Sequence, residues 1–170
     1  MRIYLSGPIE YAEDNGVSWR NETKEKLSEF GSLFEVIDPC DTSLDLLLFY
    51  GVESVDAYHR LKYGSEEEQG LFRACTQAFI EHDLEEVRKA DVLLTKISHV
   101  ASGGTSGEIT LAYFMRIPVV AFCTDNIQEV SGWVQSIPDL LLIGPDSLAE
   151  AINHLTNEEV LNGFINRHRS

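Results

Sequence analysis

The chain has 170 residues, 44% of them hydrophobic and 24% charged, and its 28 Asp and Glu against 13 Lys and Arg leave a formal net charge of -15 with His neutral. A domain of this length buries about 70% of the surface its unfolded chain exposes, so a disordered chain, or one held together only by disulfides or metal, is excluded. The acidic balance provides no cationic stripe for DNA or RNA, which excludes a nucleic-acid polymer as partner, and the apolar runs stop far short of the ~20 residues that span a bilayer.

Met1-Arg2-Ile3-Tyr4 reads as the start of a strand rather than a signal peptide, and that first strand, Arg2–Ser6, ends at Gly7-Pro8. An amphipathic helix is expected over 17–30, with Trp19, Leu27 and Phe30 on its apolar side and Gly31 as its stop. A second strand follows over 33–37. The stretch 38–65 mixes a proline, an apolar patch and charges of both signs, and is expected to hold one or two short helices as an insertion in a single domain spanning 1–170. Residues 66–89 carry a long helical pattern that feeds a buried third strand over 92–95. Ser102-Gly103-Gly104-Thr105-Ser106-Gly107 reads as a Gly-rich turn opening a helix over 108–115, and 118–123 and 140–143 read as strands. Helices over 129–135, 147–155 and 157–166 complete the alternation.

Strands alternating with helices call for a parallel sheet covered on both faces. If the strands take the order 2-1-3-4-5, the fold is an α/β three-layer sandwich of the flavodoxin or Rossmann-like kind with five parallel strands. In such sheets a ligand sits beyond the carboxyl ends of the strands, where the order reverses. That point lies between the first and third strands, so Ser6-Gly7-Pro8-Ile9-Glu10 and the loop from Ile97 to Glu108 face one another there.

Several residue types at that point carry chemistry. The 102–108 segment suits an anion: glycines let the backbone approach, hydroxyls donate, and a helix start points free N–H groups outward. It lacks the G-x-G-x-x-G spacing of a dinucleotide fold and the Gly-Lys-Ser/Thr of a P-loop. Thr105-Ser106-Gly107-Glu108 reads equally as a capping box with Thr105 as N-cap. Two carboxylates beside one sugar are what cleavage of a glycosidic bond needs, and Asp83 with Glu108 is the candidate pair, though Asp83 also fits a solvated acidic run. Trp19 and Arg20 offer a ring to a base and a guanidinium to a phosphate, with core packing the alternative for Trp19. Cys40, Cys75 and Cys123 fit no disulfide or zinc pattern and read as buried thiols of a cytoplasmic protein. The five histidines show no metal-ligand spacing.

Taken together these residues resemble the nucleoside 2-deoxyribosyltransferases and the related nucleoside 5'-monophosphate N-glycosidases. The resemblance rests on Ile3-Tyr4-Leu5-Ser6-Gly7-Pro8-Ile9, on His82-Asp83-Leu84 with Ala90-Asp91, and on Ser102 six residues before Glu108. It also takes in Gly107-Glu108, on a helix carrying Ala112. It covers 1–37 and 79–145. It implies that Glu108 attacks the sugar C1', that Asp83 helps the base depart, that Tyr4 sits beside Glu108, and that Asp91 is structural. It further implies a substrate site lined by Ser6, Gly7, Pro8, Ile9, Trp19, Arg20, Ser102, Gly104 and Thr105. A homodimer with shared active sites is implied as well, in which Ser131 reaches the site of a neighbouring subunit. No metal or organic cofactor is implied. Transferases of the family have an acid six residues before the nucleophile, whereas the monophosphate glycosidases have a phosphate-binding serine, and Ser102 stands there. A hydroxyl at a helix start donates to a phosphate that a carboxylate would repel. The expected activity is therefore hydrolysis of the N-glycosidic bond of a nucleoside or deoxynucleoside 5'-monophosphate. The alternatives are base exchange by a 2-deoxyribosyltransferase and a non-catalytic nucleotide-sensing module.

Overall fold

The structure, a computed structural model, describes residues 1–9, 12, 14–100 and 102–157. Five strands alternate with helices: β1 (Arg2–Ser6), α1 (Val17–Ser28), β2 (Glu35–Ile37), α2 (Pro39–Phe49), α3 (Val55–Leu61), α4 (Glu66–Lys89) and β3 (Val92–Lys96). Then come α5 (Gly103–Met115), β4 (Val119–Cys123), α6 (Gly132–Ser136), β5 (Leu140–Ile143) and α7 (Ser147–Thr156). The helix expected over 157–166 lies, but for Asn157, outside the described residues.

The chain forms two compact units, Met1–Ile37 together with the residues from Glu86 onward, and Asp38–Glu85. The first contains the whole sheet, parallel throughout, in the order β2-β1-β3-β4-β5. Side chains alternate across a strand, and β1 shows what that does. Ile3 and Leu5 join Val92, Leu94, Val120 and Phe122 under α1 and α7, whereas Tyr4 joins Leu93, Val119, Ile109 and Ala112 under α5. These strands read as near-continuous apolar runs because both faces are covered. Each fully buried Leu, Ile or Phe contributes about 1.5–3 kcal/mol by leaving water, so the sheet is the rigid frame on which its end loops are mounted.

In the second unit α2, α3 and most of α4 enclose Leu47, Val52 and Cys75. Tyr58 is stacked on Phe72 at 4.8 Å, and its hydroxyl lies 2.8 Å from that of Thr76, which in turn donates to the Phe72 carbonyl. Asp38 begins α2, its carboxylate accepting from the Cys40 N–H, and Pro39 occupies the first turn, where a missing N–H costs nothing.

Three boundaries differ from expectation for identifiable reasons. The α1 helix ends at Ser28, and Gly31, at φ 62°, opens a 3-10 turn over Gly31–Leu33 that delays β2 to Glu35. The stretch expected as a helix over 129–135 is split: Ile127–Glu129 is a 3-10 turn, and α6 starts only after Ser131 caps it. The largest difference concerns α5, which begins at Gly103 and not at Glu108, so the Gly-rich segment is helix rather than turn. Its cap is Ser102, whose Oγ accepts from the Thr105 N–H at 3.2 Å; Thr105 is not the N-cap, and the capping-box reading is overturned. Glycines are tolerated there because the exposed first turn asks for little intrahelical hydrogen bonding or packing.

Candidate active site

The start of α5 and the carboxyl ends of β1 and β3 build the site. In β1, Tyr4 and Ser6 point to the α5 side by strand alternation, and both are wholly buried. In α5, Thr105, Glu108, Ile109 and Ala112 form the buried stripe at helical spacing. The stripe carries Glu108 onto the sheet, 7% exposed, where the Tyr4 hydroxyl donates to Oε1 at 3.0 Å and the Ser6 hydroxyl to Oε2 at 2.5 Å. An ionised carboxylate is an acceptor only, and a donor on each oxygen fixes its orientation. Buried in this way, such a group is a poised nucleophile or a stabiliser of positive charge.

The turn after β1 is held from beneath. Arg20 is 1% exposed and donates from Nη1 to the Gly16 carbonyl and from Nη2 to the Gly7 carbonyl, each at 2.9 Å, with its guanidinium 4.5 Å over the Trp19 ring. A guanidinium bonded to both carbonyls ties Gly7 to Gly16. The expectation that it faces a phosphate, made from its place in the sequence, did not foresee that burial. Trp19 is buried and packs edge-on against Phe122 at 5.3 Å. Gly7 is required by this packing, because a Cβ there would lie 2.9 Å from the Trp19 ring and 3.2 Å from Lys96 Cβ. Ahead of α1, Asp14 accepts from the N–H groups of Gly16 and Ser18, and the Ser18 hydroxyl and N–H hold its carboxyl down at about 2.

On the α1 side of the same sheet edge lies a cavity of about 540 Å³, lined by Pro8, Asp14, Trp19, Lys96, Ser98, His99 and Asp125 among others. Its basic side chains are Lys96 and His99, the latter paired to Asp125 at 2.9 Å. Tyr4, Ser6 and Glu108 do not line it. The sequence reading passed over Lys96, which strand alternation alone would have turned away from Thr95 and toward this cavity.

Ser102, capping α5, is half-buried, and Gly104 is exposed beside it. Ile9 is half-buried and Pro8 buried. Ser131 is exposed and caps α6, its Oγ accepting from the Trp133 N–H at 3.3 Å. Asp83 belongs to the second unit, with Oδ1 3.2 Å from His82 Nδ1. Asp91 accepts from the Arg2 N–H at 2.8 Å and returns its own N–H to the Arg2 carbonyl, closing the start of β3 onto β1. Burial pushes the Cys75 and Cys123 thiols up, so they remain neutral. Among the described residues no three His, Cys, Asp or Glu side chains converge on a point that could hold a metal, and no helix is long and apolar enough to cross a membrane.

The family described as nucleoside 2-deoxyribosyltransferase matches residues 3–140. Among solved structures the chain is similar to the 2-deoxyribosyltransferase of the psychrotolerant bacterium Bacillus psychrosaccharolyticus, at 19% identity and a TM-score of 0.48, over 81% of this chain and 96% of that one. It is also similar to a conserved protein from Enterococcus faecalis V583, at 18% identity and a TM-score of 0.49, over 98% of both chains. No curated protein sequence matches it.

Proposed function

The chain belongs to the nucleoside 2-deoxyribosyltransferase family, and from that premise we propose that it hydrolyses the N-glycosidic bond of a nucleoside or deoxynucleoside 5'-monophosphate, giving free base and sugar phosphate. The observation that carries this reading is the buried Glu108 carboxylate with a hydroxyl donor on each oxygen. One Glu108 oxygen bonds to C1' as the C1'–N bond breaks, and the bonding pair leaves with the base nitrogen, which takes a proton from the Asp83 carboxyl. Water then adds at C1', its proton returns to Asp83, and Glu108 is released as carboxylate. This is the two-carboxylate logic of a retaining glycosidase, with Tyr4 and Ser6 orienting the nucleophile.

The choice of a monophosphate is supported by Ser102, a hydroxyl rather than a carboxylate at the start of the 13-residue α5, next to the exposed Gly103 and Gly104. A homodimer in which Ser131 of each subunit adds a phosphate contact to the other's site belongs to the same reading, as does a cytoplasmic setting for its three free thiols. The second reading, base exchange between nucleosides, is favoured by the family's own description.

The decisive experiment incubates the protein with ribo- and deoxynucleoside 5'-monophosphates and the matching nucleosides, with and without a second free base, and follows the bases by chromatography. Base release from a monophosphate that falls by at least about a thousandfold in Glu108→Ala is the expected result. Exchange on free nucleosides without net hydrolysis would move the assignment to the transferase. Unchanged ligand affinity with no turnover in the native chain would leave a nucleotide-sensing module.

A further inference from the structure

One side chain joins the two ends of the loop between β1 and α1. Gly7 follows β1 and Gly16 precedes α1, and the Arg20 guanidinium donates to the carbonyl of each at 2.9 Å. Both ends are shaped for it. Gly16 sits at φ 72°, and a Cβ there would lie 2.5 Å from the Pro8 carbonyl oxygen and would run into Arg20 Nη1. A Cβ at Gly7 would press on the Trp19 ring, over which the same guanidinium lies at 4.5 Å. At 1% exposure, the guanidinium presents no open edge to a phosphate. An apolar side chain of similar size would pack α1 on the sheet as well or better. What it could not do is hold two carbonyls from different segments, which the fixed fork of a guanidinium does.

Gly7 leads into Pro8 and Ile9, the turn at the switch point of the sheet. Ser6, one residue earlier, is anchored separately, by its register with Thr95 in the β1–β3 ladder and by its hydroxyl on Glu108. Loosening the turn therefore leaves the donor to Glu108 in place. We propose that Arg20 is a positioning residue, which holds the Gly7-Pro8-Ile9 turn in its substrate-binding shape and so sets affinity for the nucleoside part of the substrate without touching it. The proposal rests on the reading of a nucleotide or nucleoside bound at the β1 turn. A turn that keeps this shape for only about a tenth of the time weakens apparent affinity about tenfold. Bound substrate restores the shape, so kcat is left alone.

The test has two arms. Arg20→Lys keeps the charge and loses the fork, whereas Gly16→Ala keeps the guanidinium and crowds its place. In the first arm each is combined with Glu108→Gln, and binding of a nucleoside 5'-monophosphate and of the matching nucleoside is measured by calorimetry. Both ligands are expected to weaken alike, by about tenfold, and with Glu108 restored kcat is expected to stay within about twofold of native. Weakening of the monophosphate alone would mark a direct phosphate contact and overturn the proposal, as would unchanged affinity or a kcat that falls with affinity intact. The second arm needs no ligand: hydrogen exchange at the Asn15, Gly16 and Val17 amides is expected to quicken about tenfold in Arg20→Lys, while the amides of β1 and β3 keep their rates. Unchanged exchange at those loop amides, or quickening across the sheet as well, overturns the positioning role. A native chain that binds neither ligand ends the functional reading, and the second arm then decides separately whether Arg20 holds the turn.

Discussion

Glu108 shows at the scale of one residue how an acidic side chain in an acidic protein becomes special. Most of the 28 carboxylates face water, and burying one without donors would cost far more than a hydrogen bond returns. Tyr4 and Ser6 make this burial tolerable, and their removal has separable consequences. Tyr4→Phe keeps the ring and deletes one donor to a charge, which is worth about 1.5–3 kcal/mol. Catalysis is expected to fall ~10- to 100-fold, with the fold intact by circular dichroism and the KM little changed. Ser6→Ala is expected to behave in the same way through Oε2. The switch point of the strand order set the Ser6 and Glu108 loops facing one another, and the family resemblance implied Tyr4 beside Glu108, where its hydroxyl donates. The sequence could not say that Thr95 shares a sheet face with Ser6 as its register partner, because register between strands 89 residues apart is fixed only by packing. Nor did it foresee that Arg20 would turn inward, since the carbonyls of Gly7 and Gly16 that bind it become neighbours only when the loop closes.

At the scale of elements the informative case is α5. A run of three glycines in six residues, 102–107, reads as a turn by composition, yet Ser102 at φ -124° and ψ 120° caps a helix that runs straight through it. Capping and tertiary support outweigh the unfavourable helix propensity of glycine, about 1 kcal/mol per residue relative to Ala. Ser102→Ala removes the cap and is expected to lower stability by about 1 kcal/mol in urea titrations. Under the monophosphate reading it also raises KM for the nucleotide while leaving that for the nucleoside nearly unchanged. The β1 turn offers an independent check. Gly7→Ala drives a methyl group to 2.9 Å from the Trp19 ring, an overpacking expected to cost about 1–3 kcal/mol. The denaturation midpoint measures that cost, and an unchanged midpoint would mean that the loop yields instead. Loop residues were the least legible part of the sequence because their hydrogen bonds run to distant partners rather than along a period.

At the scale of the whole molecule, two surfaces bear on assembly. Trp133 on α6 is 65% exposed, and Phe114 at the end of α5 is 77% exposed, which is unusual for residues of that size in a chain carrying a charge of -15. If Ser131 serves a neighbouring subunit, its neighbour Trp133 is buried there as well. Sedimentation is then expected to give a dimer for the native chain, and Trp133→Glu a monomer of lower activity. A native monomer would remove Ser131 from the site. The order of the elements and the parallel sheet were legible in the sequence by itself, because they follow from periodicity and from the handedness of crossovers. The strand order 2-1-3-4-5, and with it the meeting of the β1 and β3 loops at the switch point, was one of the common doubly wound arrangements open to such a chain, and packing selected it. Tertiary structure decided the rest: which hydroxyls reach Glu108, where α5 starts, and which cation is clamped and which lines a cavity. Each of these depends on contacts between residues far apart in the chain, and side-chain direction and desolvation there are set only once the sheet has closed around them.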